Sequence, residues 1–393
     1  MLLSIALMVI LGFTLSGLFT RLKLPGLLGM MITGILLGPF VLNLISPDIL
    51  NISKDLREIA LIVILIRAGL SLDIRDLKKV GRPAILMCFI PATVEIILVV
   101  LLAPVFFQIS YIEAAIMGTV LAAVSPAVVV PRMIKLIESG YGKEKSIPQL
   151  ILAGASVDDI YVIILFTAFM GMYDGANFDS IQLLNVPLSI LVGLLTGVIG
   201  GLILVRIFKK IHMRDTIKVL IILSTAFLLI TLEDFLKGFI PMSGLLGVMA
   251  LGITLLERYE ILAQRIMHKF SKIWVGAELL LFILVGAAVD IRYLAHTGIS
   301  SIAIICIALI GRVFAVNLSL MKTPLTLKER LFCSVAYMPK ATVQAAIGAI
   351  PLTHGVTSGN LILTIAVLSI MITAPLGAIG IDRLHPILLK KAD

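Results

Sequence analysis

Charge is what this sequence has least of. Of its 393 residues 14% are Asp, Glu, Lys or Arg, while 60% are hydrophobic. A soluble domain carries about 25% charged residues, so one water-soluble core is excluded and the chain reads as an all-α polytopic membrane protein. Cysteine is nearly absent. Cys88, Cys306 and Cys333 lie within or at the ends of apolar runs, as small packing residues do, which excludes a disulfide scaffold. Acidic residues are outnumbered, 23 against 32 basic ones, giving a net charge of +9. In a membrane chain that surplus is tested first against the positive-inside rule, which accounts for nearly all of it, and no nucleic-acid partner is expected. A basic leader is missing as well: Arg21 and Lys23 follow the apolar run Met1 to Thr20 rather than precede it. That polarity is wrong for a cleaved signal and right for a first span entering from outside.

What is present is apolar sequence in helix-length runs. Hydropathy predicts about thirteen spans, near 1–20, 25–45, 57–72, 83–107, 111–133, 147–172, 183–208, 216–232, 240–256, 271–289, 298–320, 330–351 and 358–380. Lys and Arg cluster on alternate connections, at 21–23, 75–82, 132–145, 206–218, 258–272, 322–330 and 383–391. The other side holds only Lys54, Arg57, Lys237 and Arg292. This asymmetry predicts a multi-pass protein of the cell membrane with its N-terminus outside and its C-terminus in the cytoplasm.

The two halves of the chain repeat each other. Gly26-Leu27-Leu28-Gly29 through Gly34-Ile35 recurs 218 residues later as Gly244-Leu245-Leu246-Gly247 through Gly252-Ile253. Gly69 to Arg75 recurs as Gly286 to Arg292, 217 residues later. The shift carries the second and third spans onto the ninth and tenth, an odd number of helices, so the copies are oppositely oriented. Inverted repeats are an architecture of secondary transporters. The chain is then one transporter unit, 1–393, made of a first six-helix repeat (1–172), a connector (173–215) and a second six-helix repeat (216–393).

Charges inside apolar spans are costly and mark function by default. Asp158 and Asp159 lie side by side within the run from Ile147 to Met172. Pro126 and Pro131 interrupt the fifth span, and Pro339, followed by Lys340 and Thr342, interrupts its counterpart, the twelfth. Proline removes a helical hydrogen bond and clashes with the preceding turn, so both spans are predicted to break, and paired breaks point to a midplane ion site. Glu95 and Arg312 are 217 residues apart, which the repeat places at equivalent points, and an ion pair between them avoids two isolated buried charges. Lys340 is placed to offset a half-helix end. Carboxylates hold either a hard monovalent cation or a proton, and competition between the two at one site is antiport. Adjacent residues are about 100° apart on a helix, so one aspartate binds the ion and the other lines its path. Asp159 is assigned the first role, with Ser125, Ser156 and the backbone at Val128 completing the shell.

Taken together, Ser125-Pro126-Ala127-Val128-Val129-Val130-Pro131, Gly140-Tyr141-Gly142, Ser156-Val157-Asp158-Asp159 and Met338-Pro339-Lys340-Ala341-Thr342-Val343-Gln344-Ala345-Ala346 resemble the monovalent cation:proton antiporters. The nearest likeness is to the NHA-type sodium/proton antiporters of the electrogenic branch. The resemblance implies thirteen helices with crossed broken helices, a moving core domain and a dimerisation domain, a homodimer, elevator-like alternating access and a part in pH homeostasis. It also implies exchange of Na⁺ or Li⁺ for H⁺ at Asp158 and Asp159, with no cofactor beyond those transported ions. One position departs from the pattern. Where better-known electrogenic relatives have a lysine that pairs with a core aspartate, this chain has Arg312, and arginine does not release its proton. Potassium in place of sodium is one alternative, and a sodium-coupled symporter of organic anions is another. An intramembrane aspartyl protease is disfavoured because its two aspartates converge from separate helices.

Overall fold

The structure, a computed structural model, describes residues 1–71, 81–174, 180–236 and 239–391. The side chains at 71, 156, 174, 180–187 and 291–297 lie outside the description. So do the predicted repeat residue Asp73, the basic positions Arg75, Lys78, Lys79 and Lys237, and the side chains of Ser156 and Arg292.

The described chain is helical: α1 (Leu2–Arg21), α2 (Gly26–Leu37), α3 (Pro47–Asn51), α4 (Ser53–Ser71), α5 (Arg82–Phe107) and α6 (Tyr111–Ala122). There follow α7 (Pro126–Ser139), α8 (Ile147–Asp174), α9 (Ser180–Lys210), α10 (Asp215–Leu236), α11 (Gly244–Arg258) and α12 (Glu260–Ala287). The last are α13 (Ile291–Ser319), α14 (Leu327–Ala336), α15 (Thr342–Ile347), α16 (Ile350–Thr353) and α17 (Gly359–Leu388). Each of the thirteen predicted spans falls on a helix or on a pair of half-helices. Among the described residues nine spans are long and apolar enough to cross a membrane, the pair α6–α7 counted as one. Boundaries differ where polar turns extend an apolar helix. α12 begins at Glu260 and α17 ends at Leu388, because hydropathy stops at the membrane edge and helical hydrogen bonding does not.

The chain divides into two compact units that do not follow its halves. One comprises Met1–Lys54, Ile74–Phe166 and Leu281–Asp393, the other Asp55–Asp73 and Thr167–Leu280. In the second unit α9 and α10 pack on α11, and the Arg67 guanidinium lies 5.4 Å from the Trp274 ring centre. Arg67 therefore has a cation–π partner. In the first unit α5 packs on α6 and α13, and α17 on α14.

Among the close helix crossings built on glycine, one in each unit uses matching residues. In the first unit Gly34 of α2 abuts the backbone of Ile283, and Gly286 abuts that of Met31. In the second Gly252 of α11 abuts Ile66, and Gly69 abuts Met249. Met31 and Gly34 correspond to Met249 and Gly252, and Ile66 and Gly69 to Ile283 and Gly286. A Cβ at Gly34 would overlap the Ile283 carbonyl, whereas one at Gly276 meets nothing within 4 Å. Backbone on backbone has no rotamer to yield. Gly34→Ala is therefore expected to lower the unfolding temperature of the detergent-solubilised protein by several degrees, and Gly276→Ala to leave it nearly unchanged.

Both broken spans begin with the same device. Ser110 and Glu113 form a capping box on α6, and Thr326 and Glu329 form one on α14. Each glutamate then reaches a second helix. Glu113 Oε1 accepts the Ser358 N–H at 3.0 Å, at the start of α17. Glu329 Oε2 accepts from Lys145 Nζ at 2.7 Å, just ahead of α8. Burial alone would raise the Glu329 carboxyl, but the bonds from Lys145 and Thr326 outweigh it and hold the group below its ordinary value of 4.5. A lowered folded value means that the stabilisation is complete above the ordinary value and is lost as pH falls through the folded one. The deficit in unfolding temperature caused by Glu329→Gln is expected to be full at neutral pH and to shrink on acidification below about pH 4.

Candidate functional site

Two helices end abruptly inside the first unit. α6 stops at Ala122 and α7 starts at Pro126. Pro126 occupies the first turn, where its missing N–H would have had no helical partner anyway. Pro131 does not break the helix as the sequence reading proposed, since α7 runs through it to Ser139. In the second span α14 stops at Ala336 and α15 starts at Thr342, with Pro339 in the gap. The two gaps meet: the Ser125 N–H donates to the Pro339 carbonyl at 2.8 Å.

Three of the four half-helix ends at this crossing face a group of complementary polarity. The C-terminal carbonyls of α6 take Lys340 Nζ at Leu121 and Gln344 Nε2 at Ala123, the latter at 2.8 Å. The Tyr337 carbonyl closing α14 accepts from Arg312 Nη1 at 3.4 Å. At the opposite pole, the Val124 N–H ahead of α7 donates to Asp158 Oδ2 at 2.9 Å. Carbonyl ends attract cations and amide ends attract anions because peptide dipoles sum along a helix.

The charged side chains complete one network. Arg312 Nε donates to Glu95 Oε2, Lys340 Nζ lies 2.6 Å from Glu95 Oε1, and Arg312 Nη2 lies 3.8 Å from Asp158 Oδ2. Glu95, Asp158 and Arg312 are all 0% exposed and Lys340 is 1% exposed. Asp159, one residue along α8, is 7% exposed. It has no ion pair or hydrogen bond among the described residues, and its Oδ1 is buried. Asp158 Oδ1, Ser125 Oγ and Thr342 Oγ1 are likewise buried oxygens without a hydrogen-bond partner. Unpartnered buried oxygens are rare in native structures, and hard monovalent cations take oxygen ligands.

The structure thus brings Glu95, Arg312, Lys340, Asp158 and Ser125 to one crossing and seats Thr342 at the first turn of α15. Val128 is elsewhere engaged: its carbonyl accepts from Arg132 Nη1 at 3.0 Å, so the freed carbonyls are those of Leu121 and Ala123. Gln344, Tyr337 and the Val124 N–H were not found from the sequence. Gln344 alone left a signal, a buried amide one turn after Lys340 in an otherwise apolar stretch. Gly154, one turn before Asp158, leaves room for the Tyr337 phenol against α8.

Comparisons with known proteins agree with this geometry. The family described as "Sodium/hydrogen exchanger, transmembrane" matches residues 4–385. Sodium/hydrogen exchanger 9B2 of Homo sapiens is 34% identical across 98% of this chain and 74% of its own. Human sodium/hydrogen exchanger 9B1 is 33% identical across 94% and 73%. In fold, the sodium proton antiporter MjNhaP1 from Methanocaldococcus jannaschii superposes with a TM-score of 0.80 over 97% of both chains at 19% identity. A match along nearly the whole sequence, on an all-helical chain whose charges meet at two broken spans, makes this a multi-pass membrane transporter and not an enzyme: it belongs to the sodium/hydrogen exchanger family.

Proposed function

We propose that this chain exchanges Na⁺ or Li⁺ for H⁺ in the cell membrane, the two ions competing for the carboxylates of Asp158 and Asp159. The observation that carries the proposal is the charge count at the crossing. Three carboxylates, Glu95, Asp158 and Asp159, face two cations, Arg312 and Lys340. One negative charge is left over, and it is neutralised by one monovalent cation or by one proton. The loaded site is neutral in either state, which is what lets it change sides of a membrane at low cost. Asp158 is tied to the Val124 N–H and faces Arg312, so Asp159 is the carboxylate that changes partner. Distribution of Lys and Arg puts the N-terminus outside and the C-terminus in the cytoplasm, and the family resemblance adds a homodimer.

Everted membrane vesicles test this directly. An acid interior is established, and Na⁺, Li⁺ or K⁺ is added. Dissipation by Na⁺ or Li⁺ supports the proposal; dissipation by K⁺ alone selects a potassium/proton exchanger, and no dissipation by any of them at any pH removes it. A one-for-one exchange moves no net charge. In proteoliposomes its rate is expected to ignore an imposed potential, which would otherwise act at about 2.3 kcal/mol per charge per 100 mV.

A further inference from the structure

Away from the crossing, a cavity of about 400 Å³ opens between the ends of α1, α7 and α17, all in the first unit. Lys23, Arg132, Lys135, Ser139, Asp382 and His385 line it. One carboxylate among these basic groups is already in use, because Arg132 Nε and Nη2 both bond Asp382 Oδ2, at 3.3 and 3.2 Å. Lys23 and Lys135 make no ion pair among the described residues, and both are exposed. Like charges around a concavity raise the local potential and concentrate an anion there.

A second observation points the same way. Lys23 has φ +63°, a left-handed conformation that a residue with a side chain seldom adopts. Its N–H is satisfied by the Thr20 carbonyl at 3.0 Å, and the residue so held lines the same cavity as Lys135. Two ammonium groups act as point-charge phosphate binders. The volume suits one small headgroup, and close in sequence to Lys23, where α1 ends, Leu18 and Leu22 are 53% and 62% exposed.

We propose that this cavity binds a phosphate group held between Lys23 and Lys135. The bound anion bridges α7, the second half of the first broken span, to the end of α1. The chemistry is shared by the headgroup of an anionic phospholipid and by a small soluble phosphate, and the experiment separates these sources.

The full chain is purified in a non-ionic detergent, stripped of lipid and kept in choline chloride so that no transported cation contributes. Thermal unfolding is then followed with added phosphatidylglycerol, phosphatidylcholine or glycerol 3-phosphate. Phosphatidylglycerol is expected to raise the unfolding temperature by several degrees and phosphatidylcholine to leave it unchanged. Protection by phosphatidylglycerol alone identifies a lipid source; equal protection by glycerol 3-phosphate identifies a soluble one, and either supports a phosphate site. Lys23→Gln and Lys135→Gln, surface changes that leave the fold intact, are each expected to raise the half-saturating concentration about fivefold, as loss of one lysine near an anionic surface implies. Native mass spectrometry counts bound phosphatidylglycerol on the same variants. The proposal is overturned if phosphatidylcholine protects as well as phosphatidylglycerol, if neither anion protects, or if the glutamine variants bind like the parent.

Discussion

Asp159→Asn is expected to cut cation-driven proton movement by at least ~100-fold, to the background of vesicles lacking the protein. The change is isosteric and breaks no hydrogen bond, since Asp159 makes none among the described residues. What it removes is the odd charge. With asparagine at 159, two carboxylates and two cations balance at the crossing, and neither a cation nor a proton is needed for neutrality. Binding a cation there would bury a net charge, which costs several kcal/mol even after relaxation. Two measurements should therefore move in opposite directions. Exchange disappears, while the unfolding temperature in alkaline buffer free of Na⁺ and Li⁺ rises, because an uncompensated buried charge has gone. Asp158→Asn should abolish exchange too, yet lower that temperature, since it removes the anion that faces Arg312 at 3.8 Å. If Asp159→Asn exchanges at the parental rate, Asp159 is not the carrier. If its unfolding temperature falls as far as that of Asp158→Asn, the distinction between the two aspartates is wrong.

The parts of this site that the sequence displays are those where a costly residue stands in cheap surroundings. Asp158, Asp159, Glu95 and Arg312 interrupt runs of Ala, Val, Leu and Ile, and the spacing of 217 between Glu95 and Arg312 matches the repeat measured on glycines elsewhere. Pro126 and Pro339 stand out for the same reason, because few residues cannot continue a helix. The hidden parts depend on which segments cross. A carbonyl such as that of Leu121 looks like any other until the helix ends beside it and Lys340 arrives from 219 residues away. Glu113 and Glu329 cap their own helices, a role that the local motif alone accounts for. Their second bonds, to Ser358 and Lys145, belong to the fold. Pro131 misled because a proline inside a helix costs one hydrogen bond without always ending it: it is the sixth residue of α7, and the helix runs through it to Ser139. The helix ends at Glu260 and Leu388 were invisible to hydropathy, which measures the membrane and not the backbone.

The buried pair offers the sharper test of the charge count, because it predicts a rescue. Glu95 receives both Arg312 and Lys340. Glu95→Gln strands these two cations with Asp158 as the one anion still paired with either, and breaking a buried pair from one side costs about 3–5 kcal/mol. Arg312→Gln strands Asp158 instead, although Glu95 keeps Lys340. Each single variant is expected to unfold well below the parent and to exchange poorly. In the double variant Glu95→Gln/Arg312→Gln, Lys340 remains with Asp158 and Asp159, and the surplus is again one negative charge. Stability should recover by more than the two single losses allow, a coupling of the sign that double-mutant cycles find between contacting charges. Exchange should return with it, at one proton per cation and without voltage dependence. Additive losses would mean that Glu95 and Arg312 act separately. A stable double variant that fails to exchange would mean that the pair positions the site and that the surplus charge alone does not determine what it carries.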